Sequence, residues 1–354
     1  MNLLNKKIFI SPLDWGLGHT TRCIPIIKSF QELGAEIWIG VNKEQQTLLE
    51  KEITEVNYLF FEGYNISYPS SNNMAIKMAV QIPKILSKIK KEKKELKKLI
   101  NVHSFDLIVS DNRFGLYSDI IPSIYITHQI NIQAPFGLDK ILLELNQKYI
   151  NNFTQCWIPD FSNKKETLAG LLSHTLNSTN YKYIGPLSRF KYPSTNIKVE
   201  YHYTAIISGP EPQRSLFEKQ IIQLFNSKKN QCAIIGGQPL AKDISSNDNI
   251  DYFPHLSSSQ FYELITVSKN IICRPGYSSI MDFSVLQKPV FFIPTPGQTE
   301  QEYLAQYYLK KYNIGTCIQK SVLKKKNELY YNLLPFNLNS NLTEILKENL
   351  SSIN

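Results

Sequence analysis

The sequence predicts an α/β protein of two Rossmann-like, doubly wound domains facing across a cleft, and three observations carry that prediction. The 354 residues exceed what one ordinary hydrophobic core uses. Short apolar runs of strand length alternate with helix-periodic stretches through both halves of the chain. The alternation stops once, at the polar stretch 191–199 with its Pro193, Ser194 and Asn196, and then restarts, as a linker between two domains would make it do.

The elements follow in order. Strands are expected over residues 7–13, 35–41, 105–110, 123–127, 155–158 and 181–185, with a helix over about 20–33 that stops at Gly34. After the linker, strands are expected over 204–208, 232–236, 270–273 and 289–293, and helices over 278–286 and 300–311. A short amphipathic helix over about 341–350, with Ser340 to cap it, is expected to pack back across the domains. The division is thus 1–190, 200–335 and a C-terminal helix segment 336–354. Ligands of such sheets bind at the carboxyl ends of the strands.

Composition narrows the partners. A formal charge of +9 favours an anionic one, and nucleic acid, anionic lipid and a diphosphate-bearing substrate all qualify. Cys23, Cys156, Cys232, Cys273 and Cys317 are dispersed and odd in number, which predicts buried thiols in a reducing compartment instead of disulfides or zinc. Residues 1–7 run straight into a strand with no apolar signal core, and no apolar run approaches the roughly 20 residues of a membrane span. The expectation is a cytoplasmic protein. Residues 82–100 form a basic amphipathic helix, read either as packing with a solvated lysine face or as docking peripherally on an anionic membrane. No aromatic platform interleaves its lysines, so nucleic acid is not expected.

Four motifs stand at strand ends. Trp15-Gly16-Leu17-Gly18-His19-Thr20-Thr21 opens a helix, where free amides attract an anion; the alternative is a tight turn with a capping histidine. The second strand ends at Gly40-Val41-Asn42, without the acidic residue that would hold the ribose of a nicotinamide cofactor, so no cofactor is expected. Ser208-Gly209-Pro210-Glu211-Pro212-Gln213-Arg214 offers a glycine turn and an arginine suited to a diphosphate, or a solvated loop arginine. Arg274-Pro275-Gly276-Tyr277-Ser278-Ser279-Ile280-Met281-Asp282 offers a turn, two serines able to cap the helix or meet phosphate, and a carboxylate suited to ribose hydroxyls. Gln298 leads into the next helix and Gln301 and Glu302 stand in its first turn, where acidic groups also suit the helix dipole. Asp248 to Asp251 lies in a polar stretch read as a loop, and with no histidine spacing either, no metal site is expected.

Together these motifs resemble the GT-B glycosyltransferases of family 28, the group of the lipid II N-acetylglucosaminyltransferases. The resemblance implies an inverting, metal-independent transfer from a nucleotide-sugar, a UDP-sugar such as UDP-GlcNAc, to an acceptor that the motifs do not identify, a lipid-linked one being among the candidates. It makes 1–190 the acceptor-side domain and 200–335 the donor domain. By position, Gly16, Gly18 and His19 resemble the loop facing the donor diphosphate, Ser208 and Gly209 the second phosphate loop, and Arg189 an arginine on donor phosphate. Arg274, Gly276, Ser278 and Ser279 fall in the most specific segment. Asp282 stands where the family has a ribose-binding glutamate, and Gln301 with Glu302 where it has paired glutamines. His128 and Gln129 resemble a stretch near the acceptor, and Asn112 and Arg113 join them on the acceptor side although 111–115 departs from the lipid II enzyme. Histidine titrates near neutrality, which makes His19 the first candidate for general base, with Asp14 and Asp111 as rivals. A nucleotide-sugar epimerase or a non-catalytic sugar-nucleotide binding protein would share much of this pattern.

Overall fold

The computed structural model describes residues 1–64, 74–132, 139–174, 180–193, 198–238, 240–241, 244–335 and 341–353, and their side chains except those of 74–82 and 139–141. The chain divides into two compact units, with the passage from one to the other at Leu187–Ser188. Ser194 and Asn196 of the expected linker and the expected cap Ser340 lie outside the described residues.

The first unit carries β1 (Lys7–Pro12), α1 (Leu17–Glu32), β2 (Glu36–Val41), α2 (Lys43–Leu49), β3 (Asn57–Phe60), α3 (Met74–His103), β4 (Leu107–Asp111), β5 (Ser123–Ile126), α4 (Asp139–Ile150), β6 (Gln155–Ile158) and β7 (Tyr181–Tyr183). Its sheet is wholly parallel in the order β3-β2-β1-β4-β5-β6-β7. The central strands β4, β5 and β6 are buried along their whole length, which is why they read as continuous apolar runs. The second unit carries β8 (Tyr201–Ile206), α5 (Gln213–Asn226), β9 (Cys232–Ile235), β10 (Ser245–Asn247), β11 (Ile250–Phe253), α6 (Ser258–Thr266), β12 (Ser268–Cys273), α7 (Tyr277–Leu286), β13 (Val290–Phe292) and α8 (Thr299–Tyr312). Its order is β10-β11-β9-β8-β12-β13, parallel except for the β10–β11 hairpin. Each unit is a Rossmann-like doubly wound sheet, and the order reverses at β1/β4 in the first and at β8/β12 in the second.

Every strand expected from the sequence is present; β3, β10 and β11 are what the sequence concealed. β3, β10 and β11 lack a buried apolar run, and β10 is exposed throughout. The stretch Asp248–Asp251 is therefore not the featureless loop expected but the turn and start of this hairpin, and Asp251 accepts from the Tyr201 hydroxyl at 2.8 Å. All five cysteines are free and buried. Asn42 caps α2, with Gln45 closing the capping box, so the position that would hold a cofactor ribose has a helix-start role.

α1 begins at Leu17, three residues before its expected start, and α9 (Leu342–Ser351) lies against it. Thr343 Oγ1 donates to Ser29 Oγ at 3.0 Å and to Glu32 Oε2 at 2.7 Å, and the N-terminal ammonium donates to the Leu350 carbonyl at 2.6 Å. The C-terminal helix thus completes the first unit.

Among the described residues no helix is long and apolar enough to cross a membrane. The basic α3 buries Ile89, Glu92 and Leu96, and its lysine side is partly neutralised: Lys88 and Lys91 pair with Glu62 at 2.6 and 2.5 Å, and Lys93 with Asp119 at 3.3 Å. Its buried face is organised by Arg113. This guanidinium donates to Glu92 Oε1 at 2.7 Å, to Ser11 Oγ at 3.3 Å and to the Glu62 carbonyl, while Tyr64 donates its hydroxyl to Glu92 Oε2 at 2.7 Å. Arg113 therefore ties α3 to β1 and β4 from full burial, a part different from the acceptor contact expected of it. Removing one member of such a pair strands a buried charge. Arg113→Met is expected to lower unfolding stability by about 3–5 kcal/mol, and Arg113→Met with Glu92→Gln to regain more than half of that, measured by urea denaturation. Additive losses would show that the pair is not coupled.

Candidate active site

The switch point of the first sheet brings together the loop after β1 and the ends of β4 and β5. Gly16 precedes α1 with φ +88°, a conformation that favours glycine, and a Cβ there would meet no atom within 4 Å. α1 has no side-chain cap and no acidic residue in its first turn. Its early start puts Gly18 and His19 inside that turn. His19, 17% exposed, sets Nδ1 3.0 Å from Oδ1 of the fully buried Asp111. Arg22, one turn further, meets the same carboxylate with Nε 2.6 Å from Oδ2 and with Nη2 on Oδ1, and its Nη1 lies 3.2 Å from His128 Nδ1. The Cys23 thiol donates to Oδ2 at 3.5 Å.

Donor–acceptor chemistry assigns both rings. A carboxylate only accepts, so His19 donates to Asp111 from Nδ1. A guanidinium only donates, so His128 accepts at Nδ1 and is protonated on Nε2. Burial would raise the Asp111 carboxyl, but Arg22 and His19 outweigh it and hold the group well below the usual carboxylate range. Asp14 accepts from the Tyr64 backbone N–H at 3.1 Å. Asn112 sits at φ +58° in the turn after β4, a conformation asparagine tolerates. Gln129 donates its N–H to Thr127 Oγ1 at 3.0 Å, and its carbonyl takes Asn146 at 3.0 Å. Arg22 is the residue the sequence reading passed over. Its signal was available: an arginine three positions after His19, among the apolar Cys23, Ile24, Ile26 and Ile27 of a buried helix face, needs an anion.

At the second switch point, Ser208 and the exposed Gly209 (φ +106°) follow β8, and Arg274 to Gly276 follow β12. Neither α5 nor α7 has a side-chain cap, so Ser278 and Ser279 stand half-buried in the first turn of α7 without the capping role open to them. Gly276 caps α7 with φ −71°, open to any residue, and a Cβ there would again meet nothing within 4 Å. Neither backbone nor packing asks for glycine at 276. Arg274, 1% exposed, donates Nη1 to the carbonyls of Ile293 and Pro294 at 3.0 Å each, and Nη2 to Gln319 Oε1 at 2.7 Å, over the Phe217 ring. Among the described residues it has no carboxylate partner, and burial lowers its guanidinium to about 9. Its Nε and the Thr295 hydroxyl, both buried, have no partner there either.

Gln301 accepts from the Thr295 N–H at 2.8 Å and Glu302 from the Gly297 N–H at 2.9 Å, so both brace the loop leading into α8, whose cap residue is Gln298. Arg214 is neither solvated nor open to a diphosphate. Glu211 and Glu218 hold it at 2.8 and 3.0 Å, with the Gly236 carbonyl at 2.8 Å, because Glu211 stands in the turn that enters α5 and Glu218 one helix turn further on. Asp282 takes the Ser188 hydroxyl at 2.9 Å and faces Arg189 Nε at 3.9 Å, while Arg189 stacks over Phe190 and Phe261. Among the described residues no group of three or more His, Cys, Asp or Glu side chains is gathered as a metal ion would need.

Known proteins resolve the class. Residues 211–352 match the model of the glycosyltransferase family 28 C-terminal domain. Over 337 residues the chain is 24% identical to an uncharacterized glycosyltransferase of Methanosarcina acetivorans, covering 84% of this chain and 81% of that one. Among solved structures it superposes on MurG of Acinetobacter baumannii with TM-score 0.55 and 13% identity, covering 98% of this chain and all of that one. It superposes on the spinosyn rhamnosyltransferase SpnG, complexed with thymidine diphosphate, with TM-score 0.60 and 9% identity, covering 98% and 92%. The protein is a glycosyltransferase of GT-B fold. Over residues 211–352 it is similar to the family 28 C-terminal domain, as the motifs were.

Asp282 makes the second site sensitive to pH. Burial raises its carboxyl to about 6, against the opposing pull of Arg189 and the Ser188 hydroxyl. The folded value lies above the unfolded one, so the folded state holds the extra proton and stability falls as pH rises from about 4 to about 6. Relative to wild type, Asp282→Asn is expected to become more stable by about 1–3 kcal/mol between pH 4 and pH 7.5. Denaturation at both pH values checks this, and a constant difference would remove Asp282 as the cause.

Proposed function

We propose that this protein transfers a sugar from a UDP-sugar, UDP-GlcNAc being the first candidate, to a lipid-linked acceptor with inversion and without a metal ion, and that His19 is the general base. One observation carries the reading: the His19–Asp111 pair at the switch point of the first sheet. Asp111 orients the ring and leaves the Nε2 lone pair of His19 available to an acceptor hydroxyl. Asp111 itself, already held by Arg22 and His19, suits that orienting part better than the part of a base. Asp14 remains the rival.

The donor domain of this reading is 200–335, with Arg189 contributed by the preceding segment, and the acceptor side is 1–190. In the donor domain the uncapped start of α7 and the loop Ser208-Gly209 offer amides to a diphosphate, the open space over Gly276 gives it room, and Asp282 offers a carboxylate to ribose. Without a metal, these amides together with Arg189 would stabilise the leaving UDP, and Gln298, Gln301 and Glu302 would hold the loop that meets the sugar. His128 and Gln129 are proposed for the acceptor, with Asn112 beside them. Nucleotide recognition of this kind is supported by the thymidine diphosphate complex of SpnG.

The test begins with a thermal-stabilisation screen of nucleotide-sugars and continues with UDP release from the best donor in the presence of a lipid extract. His19→Ala is expected to lower kcat by about 10²–10⁴-fold with UDP affinity nearly kept, and Gly276→Ala to weaken UDP binding in a protein of unchanged stability. EDTA should leave the rate unaltered. A His19→Ala variant changed only in donor KM would make His19 a phosphate ligand and move the base to Asp14.

The same reading places the protein in the cytoplasm, peripheral on the inner face of the membrane. Lys90, Lys94, Lys97 and Lys98 are exposed on the outer side of α3, beside the pairs with Glu62 and Asp119. Binding to phosphatidylserine vesicles should weaken as salt rises, since charge reaches only about 8 Å at physiological ionic strength, and reversing Lys90, Lys94 and Lys98 should abolish it. Equal binding by wild type and variant would leave the lysines as a solvated face.

A further inference from the structure

Arg22 is 2% exposed, and its guanidinium touches two members of the first-unit site besides His19: two of its nitrogens hold the Asp111 carboxylate and the third holds the His128 ring. His19 shares Asp111 Oδ1 with it. We propose that Arg22 is a positioning residue for sugar transfer, neutralising Asp111 so that His19 stays uncharged at neutral pH, and fixing the tautomer of His128. This rests on His19 being the base.

The argument is one of charge. With Arg22 in place, the trio of His19, Asp111 and Arg22 is neutral overall before transfer and carries +1 once His19 has taken the acceptor's proton. Without Arg22 the same two groups carry −1 at rest. A buried carboxylate in that state draws a proton onto the imidazole beside it, and an imidazolium has no lone pair left for an acceptor hydroxyl. The groups facing this centre are Asp111 from β4, Arg22 and the Cys23 thiol from α1, Tyr125 from β5 and His128 after it. Among them Arg22 is the permanent cation. Geometry adds a second effect: a bidentate hold from α1 keeps the Asp111 carboxylate in one plane, and His19 is aligned by that carboxylate. Lysine would restore the charge but not the two-point hold.

The experiment records imidazole nitrogen resonances of the ¹⁵N-labelled full chain at pH 7.5, with UDP release measured in parallel. Wild type is expected to show His19 neutral with its proton on Nδ1 and His128 neutral with its proton on Nε2. In Arg22→Met, His19 should carry both protons and His128 should lose its single tautomer. kcat should fall about 10²-fold at little change in donor KM, and the acidic limb of the kcat–pH profile should move to higher pH. Arg22→Lys, which keeps Asp111 compensated if the methionine variant does not fold, should leave His19 neutral and lower kcat about 10-fold. A folded Arg22→Met with both rings unchanged, or an Arg22→Lys with wild-type kcat, would overturn the proposal. Ring signals that respond as expected while His19→Ala keeps its full rate would overturn the base assignment of His19 and leave the hold of Arg22 on Asp111 standing.

Discussion

A carboxylate with no exposure, at the carboxyl end of a central parallel strand, is the constraint on which the first unit depends. Asp111 cannot stay charged there without a cation, and its low-dielectric surroundings make that cation's geometry exacting. Arg22 answers from α1, one turn after His19. For both side chains to reach Asp111, the helix has to start at Leu17, and for that the chain turns through Gly16 at a positive φ. The glycine-rich loop, the early helix start and the histidine thus meet at one buried charge, with His19 Nδ1 on the Asp111 carboxylate.

The second unit shows the opposite electrostatic condition at the corresponding place. Arg274 is a buried cation that meets only carbonyl and amide oxygens among the described residues, while Asp282 is a buried carboxyl raised by desolvation. The Thr295 hydroxyl beside the glycine turn of Ser208-Gly209 has no partner among them. Arg214 provides the contrast within the same unit: with Glu211, Glu218 and the Gly236 carbonyl around it, its hydrogen bonds are complete. A site built for a charged, hydroxyl-rich ligand leaves such groups short of partners, whereas a structural ion pair does not.

The helix starts bear on the same edge. α2 and α6 are closed by capping boxes from Asn42 and Ser257, whereas α1, α5 and α7, which leave the switch-point strands, have no side-chain cap, and neither have α8 and α9. Capping stabilises a helix by about 1 kcal/mol, so uncapped starts at the ligand edge of both sheets are a local loss of stability that an anion would offset.

The sequence by itself determined the elements whose physics is local. A parallel strand buried on both faces reads as an apolar run, so β1, β4, β5, β6, β8, β9, β12 and β13 were legible, and so were the glycine and serine loops that follow them. β3, β10 and β11 were not, because none of them is a buried apolar run: β3 and β10 are edge strands, and β11 has the exposed β10 on one side. Among the site residues, His19, Asp111, Arg274 and Asp282 could be picked out as chemistry-bearing groups at strand ends. Their partners could not, because pairing depends on which strands become neighbours. Asp111 meets Arg22 and His19 across some ninety residues of chain only because β4 lies beside β1, and Arg113 was claimed by Glu92 of α3 rather than by a substrate for the same reason. Residue type and spacing declare what a side chain can do; burial and the order of strands in the sheet decide which of its possible partners it finds.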